Sequence, residues 1–210
     1  MQTMKPGLFI TVEGTEGVGK TSNMNFIRET LEARGIEVVC TREPGGTPLA
    51  EELRELLLSN REEKVDETAE LLMMFAARAQ HLQSLIIPSL MRGAWVLCDR
   101  FTDATYAYQG AGRGLSMQTI AQLESIVQGQ LQPDATFILD VDVRLGLERA
   151  SKRSEADRFE SEHIEFFERI RACYLSRAEQ QPKRYFVINA GQTLDKVQQD
   201  IHSQLKLLLP

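Results

Sequence analysis

Residues 14–21 read Gly-Thr-Glu-Gly-Val-Gly-Lys-Thr, a run whose residue types and spacing suit the binding of a nucleotide phosphate. The run fits the pattern Gly-x-x-x-x-Gly-Lys-Ser/Thr at every fixed position. Its glycines let successive backbone N–H groups point at a phosphate, and the helix that follows adds partial positive charge. Lys20 is expected to reach the β- and γ-phosphates, and the Thr21 hydroxyl to ligate Mg²⁺. An apolar run before the loop and a helical pattern after it disfavour a chance glycine turn.

Charged residues close two further apolar runs. Asp99 and Arg100 end one of them, and a carboxylate at a strand end beside the loop is expected to lie next to Mg²⁺, directly or through water. Arg42 and Pro44 follow another run, and Arg42 is placed to hold a second phosphate because ligands bind at the carboxyl edge of such sheets. The alternatives are a surface ion pair between Arg100 and Asp99, and a simple strand-to-helix turn after Arg42.

Two helical patterns carry side chains that could read a base. Arg78 lies in an otherwise apolar helix one turn after Phe75, and a buried guanidinium needs a partner such as a base edge or a phosphate. Core packing with the guanidinium reaching toward solvent explains Arg78 equally well. Thr105, Tyr108 and Gln109 share one face by their i, i+3, i+4 spacing, which offers an aromatic wall and an amide. An ordinary amphipathic helix with a flexible exit is the alternative.

Residues 149–159 mix three arginines and a lysine with small and acidic residues. A solvated charged loop is the usual interpretation of such a stretch. Beside a phosphate-binding loop it is also typical of a mobile flap that brings cationic groups over a transferring phosphoryl group. The sequence therefore predicts a mobile lid at about residues 149–160.

The elements that must position these residues alternate between strands and helices. Five apolar runs lack polar–apolar alternation, as strands covered on both faces do: Leu8–Glu13, Glu37–Arg42, Ala94–Asp99, Ala135–Asp140 and Tyr185–Asn189. Helical patterns cover residues 19–34, 47–60, 66–92, 103–109, 116–129, 143–153, 161–180 and 193–209. This alternation predicts an α/β fold with right-handed crossovers. By analogy with other phosphate-loop kinases, we expect a P-loop NTPase with a five-stranded parallel sheet, order 2-3-1-4-5, and helices on both faces. Residues 1–210 contain no repeat or linker, which predicts one domain.

The composition excludes several classes of protein. The 210 residues are 42% hydrophobic and 26% charged, which suits a globular domain and argues against disorder. No apolar run approaches the roughly 18–20 residues of a membrane span, and no signal segment is recognised. The net charge of −6 disfavours a sequence-independent nucleic-acid binder. Cys40 and Cys98 fall in predicted strands, which favours core thiols in a reducing cytoplasm.

In combination these features resemble the thymidylate kinases, enzymes that phosphorylate dTMP with ATP. The resemblance spans essentially the whole chain. Its most specific parts are the phosphate loop, residues 41–47, Asp99-Arg100, the face formed by Thr105, Tyr108 and Gln109, and the charged lid. The chain resembles the bacterial form, which has Glu16 and Gly17 where the eukaryotic type has Asp and Arg. In that form the lid supplies the catalytic arginine, here Arg153.

The resemblance implies a function and a set of site residues. The chain would transfer the γ-phosphoryl group of ATP to dTMP, giving dTDP and ADP for dTTP synthesis, as a cytoplasmic homodimer with Mg²⁺ as cofactor. The implied catalytic residues are Lys20, Arg100, Arg153 and Arg158. The implied ATP-binding residues are Gly14, Thr15, Glu16, Gly17, Val18, Gly19, Lys20, Thr21, Ser22, Arg149, Arg153 and Gln192. The implied dTMP-binding residues are Glu16, Arg42, Pro44, Met74, Phe75, Arg78, Arg100, Thr105, Tyr108 and Gln109. The implied metal-binding residues are Thr21, Asp99 and Glu16.

The same resemblance implies a separate role for each of several dTMP-binding residues. Arg42 and Arg100 would hold the dTMP phosphate in line with ATP. Arg78 and Gln109 would read the thymine edge, and Tyr108 would crowd the sugar C2′ and disfavour ribonucleotides. A hydrogen bond from the dTMP 3′-hydroxyl would go to the glutamate of the phosphate loop.

One position departs from the family pattern. Many thymidylate kinases carry an aromatic ring four residues before the base-reading arginine, and that position is Met74 here, with Phe75 one step later. One helical step rotates a side chain by about 100°. Either Phe75 reaches the base from another angle, or Met74 supplies a polarizable contact; the sequence leaves both open.

Two other functions compete with this interpretation. Another nucleoside monophosphate kinase, acting on dUMP, dCMP or a purine nucleotide, would share the same motifs. A nucleotide-binding switch of the GTP type would also use the phosphate loop, but such switches normally carry an Asn-Lys-x-Asp run, which the sequence lacks.

Overall fold

The computed structural model describes residues 6–152, 159 and 162–209. Five strands form one parallel sheet in the order β2-β3-β1-β4-β5, which confirms the predicted order. The strands are β1 Phe9–Glu13, β2 Val38–Arg42, β3 Trp95–Asp99, β4 Ala135–Asp140 and β5 Tyr185–Asn189. The register pairs Val12 with Asp99 and Asp99 with Arg42, so the carboxyl ends of the three strands that carry the motifs lie level with one another.

Nine α-helical segments and two π-helical segments connect the strands within the described residues. The α-helices are α1 Lys20–Glu32, α2 Pro48–Leu58, α3 Glu67–His81, α4 Ile87–Met91, α5 Thr102–Thr105, α6 Met117–Gln128, α7 Val143–Ser151, α8 Ile164–Gln180 and α9 Leu194–Leu205. The π-helical segments are Leu82–Ile86, between α3 and α4, and Tyr106–Gly112, directly after α5. Thr47 and Asp66 are the N-caps of α2 and α3, and their side chains accept hydrogen bonds from N–H groups of the first turn.

The central strands are covered on both faces, as their uninterrupted apolar runs predict. Ile10 and Phe137 face one apolar layer, which they share with α1 and α9. Phe9 and Val96 face the opposite layer together with the π-helical segment before α4, and Ile138 packs there against α8. Successive residues of a strand point to opposite faces, so a strand between two helical layers must be apolar throughout.

Several boundaries differ from the sequence predictions. The single helix predicted for residues 66–92 is divided by a π-helical segment, and the helix predicted for 103–109 continues to Gly112 through the second one. A π-turn adds a residue to the helical repeat, which local propensity does not reveal. Cys98 is buried as predicted, but the prediction for Cys40 is wrong, because β2 is an edge strand and Cys40 is exposed there.

In the part of the chain that the structure describes, every helix is too short or too polar to cross a membrane. Helix α7 includes residues 149–151, the start of the predicted lid. Residues 153–158 of that lid lie outside the described residues.

Candidate active site

Residues 14–19 connect β1 to α1 as a tight loop. Gly17 and Gly19 have φ angles of 69° and 87°, and a Cβ at Gly17 would lie 1.9 Å from the carbonyl oxygen of Gly146. Only glycine tolerates both conditions. Helix α1 begins at Lys20 with no side-chain cap and no acidic residue in its first turn. Its first N–H groups therefore remain available to an anion.

Lys20 lies across this loop. Its Nζ donates to the carbonyl oxygens of Gly14 and Thr15 at 3.3 and 3.1 Å. Burial lowers the pKa of Lys20, and the charge of Arg100 lowers it further, although nearby carboxylates oppose both effects. Lys20 and Arg100 are thus held close together beside the loop, and bound phosphate oxygens would offset the repulsion between their positive charges.

Asp99 and Thr21 line one cleft on the β2 side of the loop. The Oδ1 atom of Asp99 is buried and has no hydrogen-bond partner among the described residues. A carboxylate oxygen and a threonine hydroxyl are the hard oxygen ligands that Mg²⁺ takes together with phosphate oxygens. The described ranges contain no cluster of three or more His, Cys, Asp or Glu side chains that could hold a metal. Because both donors are hard oxygens, Asp99 and Thr21 fit an Mg²⁺ ion whose other ligands include nucleotide phosphates.

Arg100 has a φ angle of 67°, the one positive value at a non-glycine residue in the described ranges. Its Nη2 donates to Glu16 Oε1 at 2.6 Å and to the Tyr108 hydroxyl oxygen at 2.7 Å. Burial favours loss of the Arg100 proton, but Tyr108 and Glu16 raise its pKa well above the ordinary value. Burial also raises the pKa of Glu16, and Arg100 and Lys20 outweigh it and hold that pKa below the ordinary value. The ion pair is therefore with Glu16, not with Asp99.

Glu13 anchors the strained backbone that carries this arginine. Its Oε1 accepts the N–H of Phe101 at 2.7 Å, and its Oε2 accepts the Tyr174 hydroxyl of α8 at 2.9 Å. Burial, together with the charge of Asp103, raises the pKa of Glu13 to about 8. A conformation that costs about 1–3 kcal/mol persists only where its surroundings fix it, and Glu13 supplies part of that constraint.

The end of β2 and helix α2 bring two further cations to the site. Arg42 is half exposed, and its Nη2 is 2.8 Å from Glu51 Oε2 on α2. The other oxygen of Glu51 accepts the N–H of Gly46 at 2.8 Å. Arg54, on the same helix, donates to the carbonyl oxygen of Pro44 at 2.9 Å. Burial lowers the pKa of Arg54, and repulsion from Arg42 and Arg100 lowers it further.

Arg78 is 2% exposed and fixed by two side chains. Its Nε donates to Glu43 Oε2 at 2.7 Å, and its Nη2 donates to Thr105 Oγ1 at 2.9 Å. The other oxygen of Glu43 lies 3.0 Å from Nδ1 of His81. The alternative in which Arg78 reaches solvent from the core is therefore wrong. Its Nη1 is buried without a hydrogen-bond partner in the described part of the chain, and such a donor calls for a ligand.

The segment after α5 presents the amide and the aromatic wall predicted from its spacing. Gln109 is 1% exposed, and its Nε2 donates to Glu70 Oε1 at 2.8 Å. Tyr108 donates its hydroxyl proton to Glu16 Oε2 at 2.7 Å. Thr105, the third member of the predicted face, holds Arg78. Tyr108 and Gln109 lie in the π-helical segment, whose repeat differs from that of an α-helix, and both still line the same cleft as Thr105.

Met74 and Phe75 have different environments. Met74 lines the cleft between α3 and the π-helical segment after α5. Phe75 is 2% exposed, belongs to an apolar cluster with Leu71 and Tyr106, and has the Arg78 guanidinium 5.0 Å from its ring centroid. Phe75 therefore supports Arg78 from behind, and Met74 is the side chain that faces the cleft.

These side chains enclose one cleft with an empty volume of about 570 Å³. Its lining includes most of the residues predicted for dTMP, together with a glutamate, an arginine and apolar side chains that were not predicted for it: Glu16, Glu43, Pro44, Arg54, Leu58, Met74, Arg78, Arg100, Phe101, Ala104, Thr105, Tyr108, Gln109 and Phe159. One end is cationic and adjoins the phosphate loop, and the other holds Arg78, Gln109 and Met74. Arg42 and Phe75 do not line it. The cleft therefore suits a planar polar ring that carries an anionic tail.

Three predicted ATP residues lie outside both the cleft and the loop of residues 14–21. Arg149 donates to the carbonyl oxygen of Ala190 at 2.9 Å, which brings α7 against the turn after β5. Gln192 in that turn donates to Asp200 at 2.9 Å. Ser22 follows Thr21 in the exposed first turn of α1. Arg153 and Arg158 lie outside the described residues.

Sequence reasoning missed Arg54, Glu13, Glu43 and Glu70. Glu51 and Arg54 stand three residues apart on a helix that begins directly after the predicted phosphate-contacting loop, and this spacing could have indicated that they face that loop. Glu13 is a charged residue at the end of an apolar strand, immediately before the first glycine of the loop. Glu43 and Glu70 gave no local signal, since their partners lie 35 to 39 residues away.

Comparisons with known proteins agree on one family. The family model described as thymidylate kinase matches residues 12–201. The thymidylate kinase of Teredinibacter turnerae is 67% identical over 203 residues, which cover 97% of this chain and 99% of that protein. The thymidylate kinase of Ectopseudomonas mendocina is 59% identical over 203 residues, with 97% of each chain covered.

A solved structure supports the same relationship. The crystal structure of thymidylate kinase from Ehrlichia chaffeensis matches with a TM-score of 0.78 and 38% sequence identity. The match covers 96% of this chain and 99% of that one. Similarity at this level extends to the fold as a whole, which is that of a P-loop NTPase.

Proposed function

The chain belongs to the thymidylate kinase family and transfers the γ-phosphoryl group of ATP to dTMP, giving dTDP and ADP for dTTP synthesis, and we propose which of its residues carry out that transfer. The observation that carries the assignment is the cleft beside the phosphate loop. It combines a cationic end with a buried, unpartnered Nη1 of Arg78 at the opposite end, within the described residues. A nucleoside monophosphate has the matching polarity, with a phosphate at one end and a base edge at the other.

ATP occupies the loop 14–19 and the N-terminus of α1. The backbone N–H groups and Lys20 bind its phosphates, and Ser22 lies one residue beyond the Thr21 hydroxyl. Its adenine lies against the turn near Gln192, where Arg149 already contacts Ala190. The hydrogen bonds of Lys20 to its own loop are weak and long, so incoming phosphate oxygens replace them readily.

Thr21 and Asp99 would hold Mg²⁺, which would supply charge neutralisation at the ATP phosphates when bound. The Oδ1 atom of Asp99, which has no hydrogen-bond partner within the described ranges, supports this assignment. The carboxylate of Glu16 already accepts hydrogen bonds from Arg100 and Tyr108. We therefore propose for Glu16 a role toward the sugar of dTMP in preference to the metal.

The acceptor phosphate binds among Arg100, Arg54 and Arg42. The lowered pKa of Arg54, caused first by burial and then by the neighbouring arginines, reflects a positive field that a phosphate dianion would relieve. Arg100 is held by Glu16 and Tyr108. Arg42 is paired with Glu51 and joins the phosphate by exchanging that partner.

The reaction is an in-line displacement at the γ-phosphorus. An oxygen of the dTMP phosphate forms the new P–O bond while the bond to the β-phosphate oxygen of ATP breaks, and ADP leaves. The attacking oxygen is already ionised, so no general base is required. Catalysis comes from positioning and from neutralising charge on the transferred group. Lys20 and Arg100 act from the described site, and we propose that Arg153, helped by Arg158, acts from the lid.

Thymine binds at the other end of the cleft. Arg78 offers its Nη1, which has no partner among the described residues, and Gln109 offers its amide to the base edge, while Met74 contacts the ring face. Tyr108 is fixed through Glu16 and limits the space beside the sugar.

The wider organisation is also proposed. Residues 1–210 form one domain with a lid at about 149–160 that closes when both nucleotides are bound. The assembly is a homodimer in the cytoplasm, where ATP and dTMP are available. Five of the ten large apolar side chains of residues 71–90 are buried within the protomer, but Leu72 of α3 and Leu49 and Leu56 of α2 are about half exposed. We propose that these leucines contribute to the dimer contact, which multi-angle light scattering of wild type and Leu72→Glu would test.

The deciding experiment measures ADP release from ATP and Mg²⁺ with dTMP, dUMP, dCMP, dGMP or dAMP as acceptor. We expect the highest kcat/KM with dTMP. Preference for another nucleotide would refute the base-binding assignment while leaving the phosphoryl-transfer site intact. Arg78→Ala is the companion variant, and it should raise the KM for dTMP while leaving the KM for ATP unchanged.

A further inference from the structure

The orientation of the Gln109 side-chain amide is set by its contact with Glu70. Its Nε2 lies 2.8 Å from Oε1 of Glu70, and each residue is 1% exposed. Glu70 comes from α3 and is not part of the cleft lining, whereas Gln109 is. The contact therefore joins a residue of the cleft to a carboxyl group behind it.

Glu70 is placed to act only as an acceptor. The Nε atom of Arg113 is 3.5 Å from the same Oε1, so a positive charge accompanies the buried carboxylate. Arg113 is itself fixed, because its guanidinium stacks 4.9 Å from the ring centroid of Phe166 and pairs with Glu162. An ionised carboxylate accepts hydrogen bonds and donates none. The group of Gln109 that faces Glu70 must therefore be its NH₂ group.

This contact leaves the carbonyl oxygen of the amide for a ligand. Among the described residues, no hydrogen bond is donated to Oε1 of Gln109. Turning the amide over would set that oxygen against the Glu70 carboxylate and leave two buried acceptors facing each other. The free-energy cost of two opposed acceptors favours the observed orientation of the amide over the flipped one by a factor of about ten or more.

We propose that Glu70 is a positioning residue that fixes the Gln109 amide with its oxygen toward the base, and thereby selects bases that carry a proton on N3. The inference rests on the proposed function, in which this cleft holds the base of the acceptor nucleotide. Thymine and uracil offer an N3–H donor and an O4 acceptor, which match Oε1 of Gln109 and Nη1 of Arg78. Cytosine offers an acceptor and an amino donor at these places, so both contacts are mismatched.

The test compares wild type with Glu70→Gln. A glutamine at this position can accept from the Gln109 NH₂ group or donate to its carbonyl, so the amide becomes free to turn over. Dissociation constants for dTMP, dUMP and dCMP are measured by competition against a fluorescent dTMP analogue. We expect the dCMP-to-dTMP ratio of dissociation constants to fall about tenfold, since one of two mismatches is relieved. The dUMP-to-dTMP ratio should stay unchanged, because the two bases share this edge.

A matched control and a rescue variant complete the design. Glu124→Gln removes a carboxylate that accepts from Tyr106, outside the cleft lining, and should leave both ratios unchanged. The double variant Glu70→Gln with Gln109→Glu restores a side chain that can only accept toward the base. It should recover discrimination against dCMP. If Glu70→Gln does not fold, Glu70→Asp keeps the charge but withdraws the acceptor by one methylene, and it must show the same fall.

The outcomes separate this inference from the proposed function. If Glu70→Gln weakens all three nucleotides in parallel, the role of Glu70 is only structural and the inference is overturned. If Gln109→Ala lowers discrimination but Glu70→Gln does not, the amide reads the base without help from Glu70, and the inference alone fails. If Gln109→Ala leaves discrimination unchanged, the base contact of the proposed function fails and the inference fails with it.

Discussion

The buried carboxyl group of Glu13 leads us to predict that the free energy of unfolding falls as pH rises from mildly acidic to neutral. Its carboxyl group is fully buried at the end of β1, and its folded-state pKa of about 8 lies far above the ordinary value of 4.5. Between these two values the folded chain keeps a proton that the unfolded chain has released. The free energy of unfolding therefore falls as pH rises through this window, because the folded state binds more protons than the unfolded state. This contribution is fully present below about pH 4.5 and is lost by about pH 8.

The magnitude follows from the same two values. Each pH unit within the window removes about 1.4 kcal/mol, so raising the pH from about 5 to about 7.5 removes about 3 kcal/mol. Glu13→Gln abolishes this titration. Its amide oxygen still accepts from either Phe101 or Tyr174, but not from both, and the lost hydrogen bond costs about 1 kcal/mol at every pH. The variant should therefore be less stable than wild type at pH 5 and more stable at pH 7.5.

Urea unfolding at fixed protein concentration measures the difference. Trp95 is the single tryptophan and is 9% exposed, so its fluorescence reports loss of the sheet. The control is Glu148→Gln, an exposed carboxylate whose pKa is lowered by its hydrogen bond to Lys152. A group of that kind loses its contribution only as pH falls below the ordinary range, so the control difference should be flat from pH 5 to 7.5. A wild type minus Glu13→Gln difference that is equally flat would refute the reasoning.

Three further predictions concern the site. Arg54→Ala should raise the KM for dTMP about 10- to 100-fold in steady-state assays, because a charge-assisted contact to the phosphate is lost while Lys20 still binds ATP; an unchanged KM would remove Arg54 from the acceptor site. Asp99→Asn should lower kcat about 100-fold and raise the Mg²⁺ concentration needed for half activity; full activity at low Mg²⁺ would contradict the assignment. Gly17→Ala should lower the stability measured by thermal unfolding by more than about 2 kcal/mol, because the new Cβ would lie 1.9 Å from the Gly146 carbonyl oxygen; an unchanged melting temperature would show that α7 yields.

Local sequence was sufficient where the chemistry is built from contiguous backbone. The loop 14–21 binds phosphate with successive N–H groups and one helix N-terminus, so its function can be read from a run of eight residues. The alternation of strands and helices predicted the parallel sheet, and its order 2-3-1-4-5 was confirmed. The same logic placed Asp99, Arg100 and Arg42 at one edge, because parallel strands end at the same side of a sheet.

Local sequence was insufficient where a contact joins distant elements or where the helical repeat changes. Residues 66–92 and 103–109 were predicted as regular helices, but each includes a π-helical segment or continues into one. Cys40 was expected in the core because strands are usually covered, and only the place of β2 at the sheet edge exposes it. The sequence left Met74 and Phe75 open as contacts to the base. Met74 lines the cleft, and Phe75 packs behind Arg78.

By itself, then, the sequence determined the alternation of strands and helices and the phosphate-binding chemistry, because these depend on patterns within single segments. The combination of such segments along the chain gave the family resemblance, and analogy with other phosphate-loop kinases gave the strand order. Only the tertiary structure decided which side chains fix Arg78 and Gln109, the two residues proposed to contact the base. Glu43 holds Arg78 across 35 residues, and Glu70 holds Gln109 across 39. A hydrogen bond requires two atoms about 3 Å apart, and which residues of distant segments come that close is set by how the helices pack on the sheet.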